Sequence, residues 1–501
     1  MRRTFESRLP GVLITVLLTI ALTLFMAILV STKLLPTKLL LLGGFLFLLF
    51  VLCVCLLTRD SRRVGGMVAG SLMTMLLLIV LMIGTPYLTK AVSTLNSMTG
   101  VTVEVADVGV YVRADSQVQE LSELSGKTIG IMDVLDRENT ELAIAELESN
   151  IGSLNTAEYA GLGELTDGLL QGETEAILLN KAYLDLLTDM EGYENTLSQM
   201  REVYTQKTET VIESVQTGKN DKGGWNIMDL FGGGEKEEEE SKDRVFTMYI
   251  SGIDNRGGLI AKSRSDVNIL ATVNVDTRQV LLLSTPRDYY VPLPISHGQP
   301  DKLTHAGIYG VDVSMGALEM LYGTEVDYYF RVNFSGFEKI IDALGGITVH
   351  SDYAFTPVEG DFYFYEGENN LNGAAALAFA RERYAFKDGD NQRGKNQMAV
   401  IKAVINKAMS PAILSSYADL MESVAGNFET SMPYDEIAEL VRDQLDNGGS
   451  WNIVSCSVEG YGDSRVPYSM STAAYVMIPD QETVDAAIAK INQVKNGEIL
   501  G

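Results

Sequence analysis

The sequence predicts an α/β protein carried on three N-terminal transmembrane helices, with a small α/β domain followed by a larger α-β-α sandwich. Three observations lead to this. Three uncharged apolar runs fill residues 11–88, strand-like and helix-like periods alternate after them, and a Gly-rich acidic segment splits the alternation in two.

The apolar runs are GVLITVLLTIALTLFMAILV (Gly11 to Val30), LLLLGGFLFLLFVLCVCLL (Leu39 to Leu57) and VGGMVAGSLMTMLLLIVLMIGTPYL (Val64 to Leu88). Each is long enough to cross a bilayer, which takes about 20 apolar residues. The first is too long for the core of a cleaved signal peptide, lacks a small-x-small exit and is followed by two more spans, so it is read as retained. Arg2, Arg3 and Arg8 precede the first run and Arg59, Arg62 and Arg63 separate the second from the third, against Lys33 and Lys38 in the remaining loop. The positive-inside rule then puts the N-terminus in the cytoplasm and everything beyond about residue 90 outside. Chemistry there has no ready supply of cytosolic ATP. Across 501 residues, 39 Lys and Arg face 66 Asp and Glu, a net charge of -27 that argues against nucleic acid as a partner. Cys53, Cys55 and Cys456 are too few and too scattered for a disulfide framework.

Residues 91–215 read as an extracellular accessory α/β domain, with VTVEVADVGVYV and TIGIMD as strands and RENTELAIAELES as a helix. LSGKTIGIMD with LTDGLLQGETEAILLNKAYLDLL resembles half of an extracellular solute-binding domain, and a structural spacer is the alternative. Residues 216–244, with four glutamates at 237–240, read as a Gly-rich acidic linker.

From residue 245 to 501 the signals are denser. RVFTMYISGID, DVNILATVNV and QVLLLSTPRD are three strands. Asn255 to Ser265 is short for a parallel crossover, and DTR is a tight turn, so the three strands run antiparallel. That topology gathers Asp254, Asp266 and Arg287 at one sheet edge. DVSMGALEMLYG and SGFEKIIDALGG are helices and VDYYFRVNF and ITVHSDY strands, with PYDEIAELVRDQLDN, WNIVSCSVEG and ETVDAAIAKINQVKNG continuing the domain as helix, strand and helix.

Two carboxylates without His or Cys, Asp254 and Asp266, suit a hard cation such as Mg²⁺, which takes one or two protein carboxylates beside water and phosphate. A turn aspartate and an ion pair between Asp266 and Arg264 are the plainer alternative. ARERYAFKDGDNQRGKNQ, Ala380 to Gln397, tilts the balance. NGAAALAFARER reads as a helix capped by Asn372, and a second helix starts at Asn391. In it Arg393 and Gln397 share a face with Ile401, Val404, Ile405 and Ala408, which aims them at the core. A guanidinium so placed needs an anion, either Asp388 or Asp390 or a phosphate brought by a ligand. With Arg287, Lys302, Arg381 and Arg383 in the same region, cations outnumber the local acids, which favours a polyanionic ligand.

An ordered set of motifs now stands out: GID with Asp254, SRSDVNIL with Arg264 and Asp266, LLSTPRD with Arg287 and Asp288, DKLTHAGIYG with Lys302 and His305, GFEKIIDALGGITV, LNGAAALAFARER with Arg381 and Arg383, and DGDNQRGKNQ with Asp390, Arg393 and Gln397. It resembles the LytR-CpsA-Psr family of Gram-positive envelope phosphotransferases over residues 245–412, and the three spans with an accessory domain are similar to its capsule-type members. The resemblance implies the family's α-β-α sandwich with a mixed central sheet. It implies transfer of a glycopolymer, teichoic acid or capsular polysaccharide, from an undecaprenyl-pyrophosphate carrier to peptidoglycan, at the C6 hydroxyl of N-acetylmuramic acid. It assigns Asp254 and Asp266 to Mg²⁺ or Mn²⁺, and Arg264, Arg287, Lys302, Arg381, Arg383, Arg393 and Gln397 to the pyrophosphate, with Asp266, Arg287 and Arg393 carrying catalysis. The chain departs from the family in GKNQ around Lys395 and in DNRGG after Asp254. The general base stays open between Asp390 and the substrate itself, since a carboxylate held by a metal is a poor base. Two other functions are compatible with these residues: a pyrophosphatase using water as acceptor, and a membrane sensor that binds an envelope ligand without turnover.

Overall fold

The computed structural model describes residues 9–31, 37–59, 64–100, 103–211, 244–253, 262–387, 389–410, 424 and 427–501. Asp254, Asp388, the 216–243 linker and the arginines at positions 2, 3, 8, 62 and 63 lie outside the described residues, as does the side chain of Asp390.

The chain divides into two compact units. The first holds three apolar helices, α1 (Leu9–Ser31), α2 (Thr37–Thr58) and α3 (Val64–Met98). Leu9–Val30, Lys38–Thr58 and Val64–Pro86 are each long and apolar enough to cross a membrane. Among the described residues, Leu18, Leu22, Val54 and Leu81 form the buried core of these helices, while Leu41, Leu48, Leu76 and Met82 point outward. An apolar exterior of this kind suits lipid rather than water.

The second unit contains two sheets. β1 (Val103–Arg113), β2 (Thr128–Met132), α4 (Arg137–Ile151), β3 (Asn155–Tyr159), α5 (Leu162–Gln171), β4 (Ala176–Asn180), α6 (Leu184–Asp189) and β5 (Met200–Val211) build a five-stranded sheet in the order β3-β2-β4-β1-β5. The long antiparallel partner β5 was not read from the sequence, although MREVYTQKTETV alternates as a strand does.

The second sheet starts with β6 (Val245–Ile253), β7 (Ser265–Asn274) and β8 (Gln279–Ser284). β7 is antiparallel to both neighbours, as the short connections require. Then come β9 (Tyr290–Pro292), β10 (Pro300–Lys302), α7 (Leu303–Tyr309), α8 (Val311–Tyr322), β11 (Tyr328–Asn333), α9 (Phe334–Ala343), β12 (Ile347–Ser351), β13 (Gly367–Leu371), α10 (Gly373–Arg381) and α11 (Gly389–Ala408). β14 (Phe428–Thr430), α12 (Tyr434–Asn447), β15 (Asn452–Ser457), β16 (Gly460–Arg465), β17 (Ala474–Pro479) and α13 (Gln481–Lys495) complete the chain, with α12 belonging to the first unit. The sheet order is β14-β11-β6-β7-β8-β15, with β11 parallel to β6 and β15 parallel to β8. It is the mixed sheet of an α-β-α sandwich. Leu270, Leu281 and Leu283 enter one core with α8 and α13, and the alternate residues Ile269, Ala271, Val280 and Leu282 are buried as well. Both sheet faces are therefore covered. ITVHSDY departs from its expected place: β12 pairs with β13 in a separate ribbon, packed with α9, α10 and α11 in a second core.

The two sheets share one continuous core. Leu162, Leu165, Tyr183, Leu186, Leu187 and Met190 of the first pack in the same cluster as Leu281, Tyr309, Leu318 and Ile491 of the second. A buried ion triad adds to this, in which Arg331 of β11 binds both Glu104 of β1 and Glu429 of β14. Burial pushes the Glu429 carboxyl up to about 7, with Arg331 opposing the rise and Glu104 adding to it. Because that value exceeds the unfolded one, the folded chain retains a proton that the unfolded chain releases. The stabilisation is complete below about pH 4.5 and is lost as pH rises through 7. Thermal scans from pH 4.5 to 7.5 are expected to show that decline, and Glu429→Gln to flatten it. A variant with the unaltered slope would assign the decline to another group.

Candidate functional site

β7 starts at the edge where β6, β8 and β11 end, and this places the candidate residues. Ile269 faces Ser284 across the β7–β8 pair, so Asp266 and Arg287 are each three residues beyond that register on adjoining strands. Their side chains meet, with Arg287 Nη1 2.7 Å from Asp266 Oδ1. Thr304 Oγ1 donates to the same carboxylate oxygen at 3.4 Å, and its backbone N–H donates to the Arg287 carbonyl at 2.8 Å. The β9–β10 ribbon sets Lys302 opposite Tyr290, which brings Lys302 Nζ to 3.4 Å from Asp288 Oδ1, with Arg287 Nε 3.9 Å from that oxygen. Asp266, Arg287, Asp288 and Lys302 thus form one cluster of alternating charge, each side chain a fifth exposed or less.

Arg264 sits two residues before Asp266 and turns to the accessory sheet. Its Nη1 is 2.5 Å from Asp189 Oδ2 and its Nη2 3.4 Å from Asp185 Oδ2, both on α6. Burial works against its charge, and Asp189, Asp185 and Asp266 outweigh that to hold the guanidinium above its ordinary pKa.

Arg381 ends α10, pairs with Glu359 and lies 4.3 Å over the Phe334 ring. Phe334 follows Asn333, which is registered with Ile253 at the end of β6, so Arg381 belongs to the same sheet edge, about 10 Å from β7 by strand spacing. Arg383 is half-buried and donates to the Tyr384 hydroxyl at 2.6 Å. As expected, Asn372 caps α10 by accepting from the Ala375 N–H.

On α11 the buried row differs from the one expected. Gln392, Asn396 and Val400 are buried, and Arg393 and Gln397 flank them half-buried. The helix is rotated by one residue, about 100°. Amides take the inner row because they satisfy one another: Gln392 Nε2 donates to Asn396 Oδ1 at 3.0 Å and Asn396 Nδ2 to the Phe379 carbonyl at 3.3 Å. A charged Arg393 there would meet a much larger desolvation cost. The helix still approaches the edge, since a Cβ on Gly394 would lie 3.1 Å from Ser284 Oγ at the end of β8.

Of the six cations assigned to the pyrophosphate, Arg264, Arg287, Lys302 and Arg381 each have a carboxylate partner. These ion pairs satisfy those four internally, which weakens charge surplus as an argument for a polyanion. The sequence reading also passed over Thr304, Asp185, Asp189 and Glu359. The aspartates of α6 are 75 residues or more from Arg264 in the chain, and no local pattern announces such a contact.

For a divalent cation, Asp266 offers a hard oxygen donor of the kind Mg²⁺ takes, and Oδ1 is engaged by Arg287 and Thr304. Asp266 would be a ligand to the cation, and the donor chemistry fits. Among the described residues no group of three or more His, Cys, Asp or Glu is arranged to hold a metal. His305 is structural. Asp301 and Ser469 both contact its Nδ1, at 2.7 and 2.9 Å, and all three are buried. A proton relay needs its carboxylate and hydroxyl on opposite ring nitrogens.

The LytR_cpsA_psr family model matches residues 196–493, more than half of the chain. A polyisoprenyl-teichoic acid–peptidoglycan teichoic acid transferase TagU of Bacillus cereus is 32% identical over 257 residues, covering 50% of this chain and 80% of that protein. The TagU of Oceanobacillus iheyensis is 32% identical over 269 residues, covering 52% and 77%. The crystal structure of B. subtilis TagV matches with 28% identity and a TM-score of 0.44, over 52% of this chain and 100% of that one. The matched stretch exceeds half of the chain and contains the charged sheet edge, and the chain belongs to the LytR_cpsA_psr family.

Proposed function

We propose that the chain is an extracytoplasmic phosphotransferase that moves a glycopolymer from undecaprenyl pyrophosphate to a hydroxyl of peptidoglycan. The observation that carries this is the Asp266–Arg287–Asp288–Lys302 cluster at the sheet edge, inside the region shared with transferases named for polyisoprenyl-teichoic acid and peptidoglycan. Those names favour teichoic acid over capsular polysaccharide. The three apolar helices hold the protein at the membrane where a polyprenyl carrier resides, and the arginine distribution supports an external catalytic unit.

In this reading the carrier's pyrophosphate binds N–H donors of Arg264, Arg287 and Lys302 that their carboxylate partners leave unused. Guanidinium forks have five donors and suit phosphate oxygens as well as carboxylates, so one arginine can serve both. Arg381, Arg383, Arg393 and Gln397 supply further donors along the same edge. The acceptor oxygen bonds to the glycan-bearing phosphorus while the bond from that phosphorus to the bridging oxygen breaks. The acceptor proton is released and undecaprenyl phosphate leaves. The cations stabilise charge that grows on the leaving oxygen, where fixed electrostatics contribute most. Asp254 and Asp266 would hold Mg²⁺ or Mn²⁺, which when bound neutralises phosphate charge.

Treatment of the full chain in vesicles with EDTA is expected to suppress transfer, and added Mg²⁺ or Mn²⁺ to restore it. Transfer indifferent to EDTA removes the metal from this reading.

A further inference from the structure

The contact between α6 and Arg264 belongs to neither sheet's own packing. Leu186, Leu187 and Met190 bury one side of this helix in the common core, and Tyr183 just before it packs edge-on against Tyr309 of α7, with ring centroids 6.0 Å apart. The helix is therefore fixed to the catalytic sandwich. Asp185 and Asp189 are four apart on its other side, one turn from each other, and both reach Arg264. Asp189 closes the helix, where a carboxylate opposes the helix dipole. The helix gains nothing from an acid there. Arg264 Nη1, at 2.5 Å, supplies the compensating charge.

Resting on the proposed function, we infer that Asp185 and Asp189 are positioning residues of the accessory sheet that hold the Arg264 guanidinium in place for the pyrophosphate. An arginine side chain is rich in rotamers, and carboxylates on a fixed helix remove that freedom before substrate arrives. Arg264 has five N–H donors, and the two terminal nitrogens that face α6 do not use them all. The accessory sheet thus completes the reaction site.

This has a signature that simple charge competition does not share. Removing two negative charges beside a cationic site favours an anionic substrate, so competition alone would lower KM and leave turnover equal or higher. Loss of positioning lowers kcat instead, because a group displaced by about 1 Å can cost up to about 10²-fold.

The test uses the full chain in vesicles with a lipid-pyrophosphate oligosaccharide and peptidoglycan oligomers. Asp185→Asn/Asp189→Asn is expected to lower kcat by about tenfold with KM changed less than about threefold, and Asp189→Glu alone to stay near wild type. In an Arg264→Ala background the same pair of substitutions is expected to add no further loss, as it must if the aspartates act through that arginine. Phenylglyoxal modification of Arg264, followed by mass spectrometry, is expected to be severalfold faster in the doubly substituted protein, which reads the side chain without activity. Unimpaired turnover in that protein beside a crippled Arg264→Ala overturns the inference alone. Full activity in Arg264→Ala overturns both the inference and the placement of Arg264 in the site. An equal loss in both backgrounds also overturns it, since the aspartates would then act elsewhere.

Discussion

Arg287→Ala and Asp266→Ala, made singly in the full membrane-anchored chain, are each expected to lower glycan transfer by about 10³-fold, the scale on which phosphoryl-transfer enzymes lose rate when a charge-stabilising arginine is removed. The two losses have different origins. Arg287 lies between Asp266 and Asp288, so its removal leaves adjacent carboxylates facing an incoming pyrophosphate and turns an attractive edge repulsive. Removing Asp266 takes away the carboxylate proposed to hold the metal and the ion-pair partner of Arg287. In the proposed reaction both act on one phosphate, so the double variant should be little worse than the poorer single one. Asp266→Asn keeps the shape and loses the charge, and is expected to behave like the alanine variant. Initial rates of product formation, with a thermal scan to establish that each variant folds, check this. Retained transfer in both single variants would remove the cluster from the reaction.

Arg331→Ala is expected to destabilise the second unit by about 3–5 kcal/mol, the usual cost of stripping one partner from a buried ion pair. Arg331, Glu104 and Glu429 are all almost inaccessible to solvent, and a third carboxyl, Asp312, is pushed up by burial and by Glu104. Without the guanidinium, Glu104 and Glu429 have no compensating cation and must bind protons or draw in water. Glu104 also accepts from the Val311 N–H at 3.3 Å, so the loss extends from β1 to α8. For a unit of this size the fall in Tm should be of order 10 °C. Replacing all three residues with apolar ones of similar volume should recover most of it, because well-packed apolar groups substitute for buried ions at little or no net cost. A Tm within a degree or two of wild type in Arg331→Ala would show that the triad does not join the sheets.

The parts legible in the sequence are those that local chain geometry decides. The segment from Asn255 to Ser265 and the DTR turn suffice to make β6, β7 and β8 antiparallel, and that arithmetic alone brings Asp266 to Arg287. Uncharged apolar runs reveal membrane helices for the same reason. Legibility fails where a choice depends on distant partners. Helical period identifies α11, but not that Gln392 and Asn396 would satisfy each other and the Phe379 carbonyl and displace Arg393 from the inner row. ITVHSDY has the alternation of a sheet strand, yet β13 pairs with it outside the main sheet. Charge counts misled as well. The partners of Arg264 and Arg381 come from α6 and from Glu359, neither adjacent to them in the chain. The accessory sheet looked separable because a linker follows it, whereas Tyr183, Leu186 and Met190 enter the core of the sandwich.

The most direct measurement follows the fate of the phosphate. Full-length protein in vesicles receives Mg²⁺, peptidoglycan oligomers and a lipid-pyrophosphate oligosaccharide labelled in the glycan-proximal phosphate. The label is expected on peptidoglycan in a phosphodiester, with one undecaprenyl phosphate released per link formed, and both products should vanish in Arg287→Ala. Label released only as free glycan phosphate would make the protein a hydrolase, and substrate held without either product would contradict transfer altogether.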